Sequence, residues 1–261
     1  MRKEVPIPSV APTVSAILDL PAPAQAQDPI IEKMRADLNG CSRVAILAPD
    51  ALGDFAFQQW KEEMPFLNAL YAQRGVLLRS VMPSITPVNF AAIVSGADPA
   101  VHGVKTLNDD IQCESLFDVV RAAGGKSAGI GRETYTGAEL LGRHADLCGR
   151  GPAAEKDVGV ERLILEIVDK DAPRFLIAQL GITDDVFHQF GPSSPDVVPV
   201  LRETDERLKR LSEHLIALGY GIIVLADHGQ HDVEREDRMT GSHGTDCDED
   251  CLVPCTWAVS L

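Results

Sequence analysis

Three apolar runs in this chain each lead to an aspartate, and that pattern constrains the fold more than any other. Val44-Ala45-Ile46-Leu47-Ala48-Pro49 leads to Asp50. Phe175-Leu176-Ile177-Ala178-Gln179-Leu180 leads past Gly181 to Asp184 and His188, and Ile222-Ile223-Val224-Leu225-Ala226 leads to Asp227-His228-Gly229. A further block, Gly241-Ser242-His243-Gly244, follows shortly afterwards. Short apolar runs bounded by turn residues read as strands buried on both faces, the form parallel sheets take. Open α/β sheets bind ligands beyond the carboxyl ends of their strands. One sheet edge would therefore gather three Asp and three His, enough donors for two metal ions.

Helical and strand signals alternate along the rest of the chain, as α/β folds require. Residues 57–74 are expected to be one helix stopped by Gly75, followed by a strand over 76–81. Residues 89–95 form a short helix closed by Gly96, and 115–124 a capped helix feeding a strand at 126–130. Residues 158–168 and 198–218 are helical. In the second of these Leu201, Leu208, Leu211, Leu215 and Leu218 share a core-facing side. The strand over 221–226 is central, and 256–260 is the last. The Gly- and Ala-rich stretch 134–156 reads as an irregular lid. Two phosphate-loop-like pieces fail: Gly124-Gly125-Lys126-Ser127 has Val120 where the pattern needs glycine, and Gly129-Ile130-Gly131 has Thr134 in place of a third glycine.

At 261 residues the chain can bury a sizeable core as a single domain. Its net charge of −15 argues against nucleic acid or an anionic membrane as partner, although metal ions could reverse the local field and admit a phosphate. No apolar run approaches the roughly 20 residues needed to span a bilayer. Met1-Arg2-Lys3 and Ala24-Gln25-Ala26 superficially frame a leader peptide, but Pro6, Pro8, Pro12 and Asp19 interrupt the stretch between them. Six scattered cysteines in a chain this long fit a reducing cytoplasm. Cys247, Cys251 and Cys255 recur at every fourth position, which admits a third metal site. Pro254 breaks any helix there, so free thiols flanking a strand fit better.

Asp184-x-x-x-His188 can place a carboxylate and an imidazole on one helical turn, with His243 completing a three-donor set. Asp50, Asp227 and His228 form a second set of the same kind. Three protein ligands per ion leave a position open for substrate oxygen or water. Mixed carboxylate and imidazole donors suit Zn or Mn better than Ca. A nucleophile is available in Ser80-Val81-Met82-Pro83-Ser84-Ile85-Thr86-Pro87-Val88-Asn89-Phe90. With Pro87 at the first helical position, Thr86 is either an N-cap or an activated hydroxyl, and local pattern does not separate the two.

The segment from Ser80 to Val104, ending Ile93-Val94-Ser95-Gly96-Ala97-Asp98-Pro99-Ala100-Val101-His102-Gly103-Val104, resembles the nucleophile segment of the type I phosphodiesterase and nucleotide pyrophosphatase family. It is also similar to that family's relative phosphonoacetate hydrolase, within the alkaline phosphatase superfamily. Asp184-x-x-x-His188-x-x-Gly191-Pro192, Asp227-His228-Gly229 and His243-Gly244 resemble the other blocks in order. The resemblance implies an alkaline-phosphatase-like three-layer α/β/α sandwich with a mostly parallel sheet, spanning residues 1–261. It implies a hydrolase of phosphoesters acting on a small phosphorylated substrate, with Thr86 as the phosphorylated nucleophile and two divalent ions, Zn or Mn. Asp50, Asp227 and His228 would hold the ion beside Thr86. Asp184, His188 and His243 would hold the ion that activates water. Asn108 would bind a phosphoryl oxygen. A phosphomonoesterase or phosphonate hydrolase of the same superfamily, or a non-catalytic metal- or phosphate-binding relic, remain the alternatives.

Two departures from the family stand out. Its larger members carry a long specificity insert between the Asp-His-Gly and His-Gly blocks, where this chain has a short charged loop. Ser9-Val10-Ala11-Pro12-Thr13, with Ile17-Leu18 beyond, resembles the family's usual C-terminal segment, so residues 1–26 are expected to be a circular permutation, or else an N-terminal extension. His102 reads as a structural residue fixing the turn before Gly103. His144, His214 and His231 read as surface residues, His231 with a chance of hydrogen-bonding a ligand residue. The cluster Asp246, Asp248, Glu249, Asp250 reads as a solvated loop face.

Overall fold

The computed structural model describes residues 4–235 and 238–260. The Met1-Arg2-Lys3 flank of the rejected leader, and Leu261, lie outside them. Among the described residues ten strands occur: β1 (Glu4–Pro6), β2 (Arg43–Pro49), β3 (Gly75–Arg79), β4 (Ser127–Arg132), β5 (Leu147–Gly151), β6 (Phe175–Leu180), β7 (Tyr220–Leu225), β8 (His231–Arg235), β9 (Arg238–Ser242) and β10 (Leu252–Ala258). Eight form one sheet in the order β1-β3-β10-β7-β2-β6-β4-β5, and β8 and β9 pair as a separate ribbon. Every neighbour pair in the large sheet is parallel except those of β10, which runs antiparallel to both β3 and β7.

The register places the site. β2 pairs with β6 through Ala48↔Gln179 and with β7 through Leu47↔Val224. Asp50, Asp184 and Asp227 therefore leave the same end of three adjacent parallel strands, each fully buried or nearly so. Helix Val198–Ala217 packs on both Pro65–Arg74 and Lys156–Asp171, and Val10–Ile17, Thr86–Ser95 and Leu116–Ala122 pack on one another. The result is the expected α/β/α sandwich. No helix among the described residues is long and apolar enough to cross a membrane.

Several boundaries differ from expectation for identifiable reasons. The helix expected over 57–74 is two, Asp54–Trp60 and Pro65–Arg74, joined by a 3-10 turn at Lys61–Glu63. Pro65 has no N–H to continue the first helix and opens the second instead. Gly75 is not a left-handed stop: its φ of −109° is extended, and it begins β3. β10 starts at Leu252 and contains Pro254, which is tolerated because pairing to β7 begins only at Cys255. The stretch 134–156 is not wholly irregular, since it contains a π-helical turn (Gly137–Leu141) and the edge strand β5. Its small residues mark close backbone packing. A Cβ on Gly129 would meet the Leu141 carbonyl carbon at 2.5 Å, and one on Gly137 would meet the Ile130 oxygen at 2.4 Å.

The N-terminal segment is part of the core. β1 pairs with β3 at the sheet edge through Val5↔Leu78. Helix Val10–Ile17, almost wholly buried, packs against helix Thr86–Ser95 and helix Glu32–Asp37. Thr13 Oγ1 donates to the Ser9 carbonyl (2.6 Å) and accepts from Ile31 N–H (2.9 Å), which closes the intervening loop. The following helix is tied to β10, where Trp257 Nε1 donates to Asp37 Oδ2 at 2.9 Å.

Candidate active site

Each donor is placed by backbone contacts that follow from its strand end. Asp50 N–H donates to the Leu180 carbonyl (2.9 Å), and Thr183 Oγ1 donates to the Asp50 carbonyl (2.6 Å), which locks β2's end to the start of helix Ile182–Phe190. Asp157 caps that helix, accepting from Gly181 N–H (3.0 Å) and Ile182 N–H (3.1 Å). Asp184 and His188 then fall one turn apart, with His188 Nε2 3.3 Å from Asp184 Oδ1. Asp185 turns the other way, to Tyr135 and to Arg132 (2.7 Å), so Asp184 is the residue that faces the site. Ser80 Oγ donates to the Asp227 carbonyl at 2.7 Å, and His243 is held by Ser84, so the segment leading to Thr86 touches both later blocks.

The structure brings Asp50, Asp227 and His228 together as one group of donors, and Asp184, His188 and His243 as another, with ligand atoms within 4.8 Å of one another in each. Thr86 faces the first group. It is the first residue of helix Thr86–Ser95, with Ile85 in the cap position and no side-chain cap bond. Its Oγ1 lies 3.0 Å from His228 Nε2 and 3.5 Å from Asp50 Oδ1. The alternative that Thr86 serves as an N-cap is therefore overturned, because the hydroxyl points into the acid–imidazole cluster.

The chemistry of the donors fits cations. His228 Nδ1 is 2.9 Å from the Gly229 carbonyl, His188 Nδ1 3.2 Å from the Gly241 carbonyl and His243 Nδ1 3.0 Å from the Ser84 carbonyl. A carbonyl can only accept, so each neutral ring carries its proton on Nδ1 and turns an Nε2 lone pair inward. His188 Nε2 and His243 Nε2 sit 3.2 Å apart, an arrangement that repels unless positive charge lies between them. Asp227 Oδ2 is buried without a hydrogen-bond partner. Burial, then the charges of Asp227 and Asp184, pushes the Asp50 carboxyl well above the usual carboxylate range, and burial likewise raises Asp227. Burial acts in the same direction on Asp184, but the His188 hydrogen bond and the facing imidazoles outweigh it and hold that carboxyl low. The same bond raises His188, while burial and then His228 push His243 down to about 4. Divalent cations would relieve this crowding of buried acids and lone pairs.

A cavity of about 220 Å³ opens onto Asp50, Thr86 and Asp184. Its remaining wall includes Tyr135, Thr136 and Gln179, three residues that strand and motif reasoning passed over. Gln179 donates to Asp50 Oδ2 and accepts from Gly137 N–H at 2.6 Å. Its signal was present in the sequence, as the one polar residue in a fully buried apolar run. Asn108 is solvent-exposed on the loop beside Leu107, which lines the cavity, and its N–H donates to Thr106 Oγ1 at 3.3 Å. His102 is buried, and its Nδ1 accepts from Val104 N–H at 3.1 Å, the turn-fixing role expected of it. His231 does not reach a residue of either group but bonds Asp250 Oδ1 at 2.8 Å. Asp250 is not a solvated loop acid: it is fully buried, and its Oδ2 accepts from Thr245 N–H and Thr245 Oγ1.

A mostly parallel sandwich whose sheet edge gathers two acid–imidazole groups, with a hydroxyl facing one of them, defines an α/β protein with two candidate metal-binding groups. Residues 44–115 and 130–249 match the family described as type I phosphodiesterase / nucleotide pyrophosphatase. The chain belongs to that family. Among curated relatives, Venom phosphodiesterase 2 of Crotalus adamanteus is 24% identical over 204 residues, covering 67% of this chain and 25% of its own length. An uncharacterised pyrophosphatase/phosphodiesterase of Schizosaccharomyces pombe is 38% identical over 69 residues, covering 25% of this chain and 14% of its own. The chain thus spans about a quarter of the length of the first of these. Of solved structures, human ectonucleotide pyrophosphatase / phosphodiesterase 5 superposes with a TM-score of 0.65 at 14% identity, over 82% of this chain and 87% of that one. Phosphonoacetate hydrolase from Sinorhizobium meliloti 1021, in complex with phosphonoacetate, gives 0.57 at 20% identity, over 75% and 58%. These likenesses are of fold.

Proposed function

We propose that this chain hydrolyses small phosphoesters through a covalent phosphothreonine at Thr86. The observation that carries the reading is the Thr86 hydroxyl, 3.0 Å from His228 Nε2 at the mouth of the six-donor cluster. Two divalent ions, zinc by the donor set or manganese, would be held by Asp50, Asp227 and His228 and by Asp184, His188 and His243, and would supply the charge that activates the hydroxyl and offsets charge developing on the phosphoryl oxygens. Thr86 Oγ gives up its proton to solvent and bonds to phosphorus as the ester P–O bond opposite it breaks, and the departing oxygen takes a proton from solvent. Water then attacks the phosphothreonine, releasing the phosphoryl group and restoring the threonine. Gln179 steadies Asp50, and Asn108, on the loop beside the cavity, contributes to holding a phosphoryl oxygen.

A phosphomonoesterase is the second reading, favoured by the cavity's size. About 220 Å³ is below the roughly 300–1,000 Å³ typical of small-molecule pockets. The short β8–β9 ribbon also stands where larger family members carry their insert. The charge of −15 supports a small substrate over a nucleic-acid polymer, and the six free thiols support a reducing compartment, the cytoplasm. We read the chain as one catalytic domain whose residues 1–26 stand in for the family's C-terminal segment. The burial of Val10–Ile17 against helix Thr86–Ser95 supports that reading.

The test is hydrolysis of p-nitrophenyl phosphate and bis-p-nitrophenyl phosphate with added Zn or Mn. Wild type should turn over, and Thr86→Ala should lose roughly 10⁴-fold or more in kcat at unchanged metal content. Preference for the monoester selects the second reading. No turnover across phosphoesters and phosphonates would leave a binding protein instead.

A further inference from the structure

Beyond the two donor groups, a third convergence of side chains joins the hairpin to the short helix before β10. His231, Cys247 and Asp250 each bring one donor atom to within 4.8 Å of the others. His231 Nδ1 lies 2.8 Å from Asp250 Oδ1 and 4.0 Å from Cys247 Sγ. Donors around a tetrahedral zinc ion, at about 2.0–2.3 Å from it, stand roughly 3.3–3.7 Å apart, so small side-chain adjustments would enclose one. Asp250 is fully buried, and its Oδ2 is already fixed by Thr245 N–H (3.0 Å) and Thr245 Oγ1 (2.7 Å). Oδ1 is thereby oriented as a single ligand atom, the arrangement of a coordinating carboxylate whose second oxygen is hydrogen-bonded.

We propose that His231, Cys247 and Asp250 form a third metal site, structural in role, for a thiolate-accepting divalent ion such as zinc, with water in the fourth position. Binding releases the Cys247 thiol proton to solvent. The ion ties β8 to helix Asp248–Cys251, and Asp250 passes that restraint to both neighbouring blocks. Its carbonyl accepts from Gly229 N–H at 2.7 Å, next to His228, and its carboxylate holds Thr245, two residues from His243. The site is distinct in chemistry from the other two groups, which offer only nitrogen and oxygen, and it stands whether or not those groups are catalytic.

Sulfur provides the readout. Full-length protein titrated with Co(II) alone should develop a near-ultraviolet thiolate-to-cobalt charge-transfer band. Cys247→Ser should abolish the band and lower bound metal by one equivalent per chain, and His231→Gln should weaken the band with the thiol still present. Asp184→Asn, which touches only a nitrogen–oxygen group, should leave the band intact. The proposal is overturned if cobalt-saturated wild type shows no such band, or if band and metal content both survive Cys247→Ser. Matching near-ultraviolet circular dichroism of the apo variants excludes misfolding as the cause of a lost band.

Discussion

A threonine opening a helix ordinarily turns its hydroxyl back onto the first free N–H groups. Thr86 stands one position inside the cap, which Ile85 occupies, and directs its hydroxyl to His228 Nε2. His102 shows the opposite use of a polar side chain: wholly enclosed, it braces one turn and its Nε2 meets no partner. Burial pushes its imidazole down to about 4, with Asp98 opposing only in part. An unfolded histidine titrates near 6.5, so the unfolded chain takes up this proton before the folded one does. The contribution of neutral His102 is complete above pH about 6.5 and is lost as the pH falls towards 4, amounting to about 3 kcal/mol at most. Urea unfolding of wild type and His102→Gln across that window should show a shallower acid loss in the variant. Parallel curves would remove His102 as the cause.

At the scale of elements, the Asn89 side chain ties helix Thr86–Ser95 to the loop before it. Asn89, buried in Thr86–Ser95, accepts from Val81 N–H (2.8 Å) and donates to the carbonyls of Val81 (3.2 Å), Pro83 (3.4 Å) and Ile85 (3.3 Å). Asn89→Ala leaves those backbone groups without their partner and should destabilise the fold by about 1–3 kcal/mol. It should also lower kcat more than it alters metal content, since Thr86 loses its aim while the donors keep theirs. Calorimetry and elemental analysis check the two halves. Elements with strong patterns were readable in advance. β2, β6 and β7 are continuous apolar runs, and the helix ending at Gly96 closes on a left-handed glycine with φ 68°. β4 was legible over 126–130, within two residues of its bounds, but β5 was not, because Leu147-Cys148-Gly149-Arg150-Gly151 owes its form to backbones pressed together, a tertiary fact with no periodicity of its own.

Over the whole molecule, strand order converts sequence into chemistry. Asp50, Asp184 and Asp227 are far apart in the chain but leave neighbouring strands β2, β6 and β7 at one end. That convergence was foreseeable because parallel strands present their carboxyl ends together. The supporting residues were less so: Gln179 showed only as a polar break in a buried run, Tyr135 and Asp250 act through partners in other segments, and Asp250 sat in an acidic run that composition assigns to solvent. The N-terminal segment likewise resembled a displaced piece of the family, but its burial as helix Val10–Ile17 against helix Thr86–Ser95 depends on the fold.

Crystals of the full chain soaked in zinc and measured at the zinc absorption edge test the central claim most directly. One anomalous peak should lie among Asp50, Asp227 and His228, within reach of Thr86 Oγ, and another among Asp184, His188 and His243. Zinc bound elsewhere while both groups stay empty, or a Thr86 hydroxyl turned from the first peak, would contradict it.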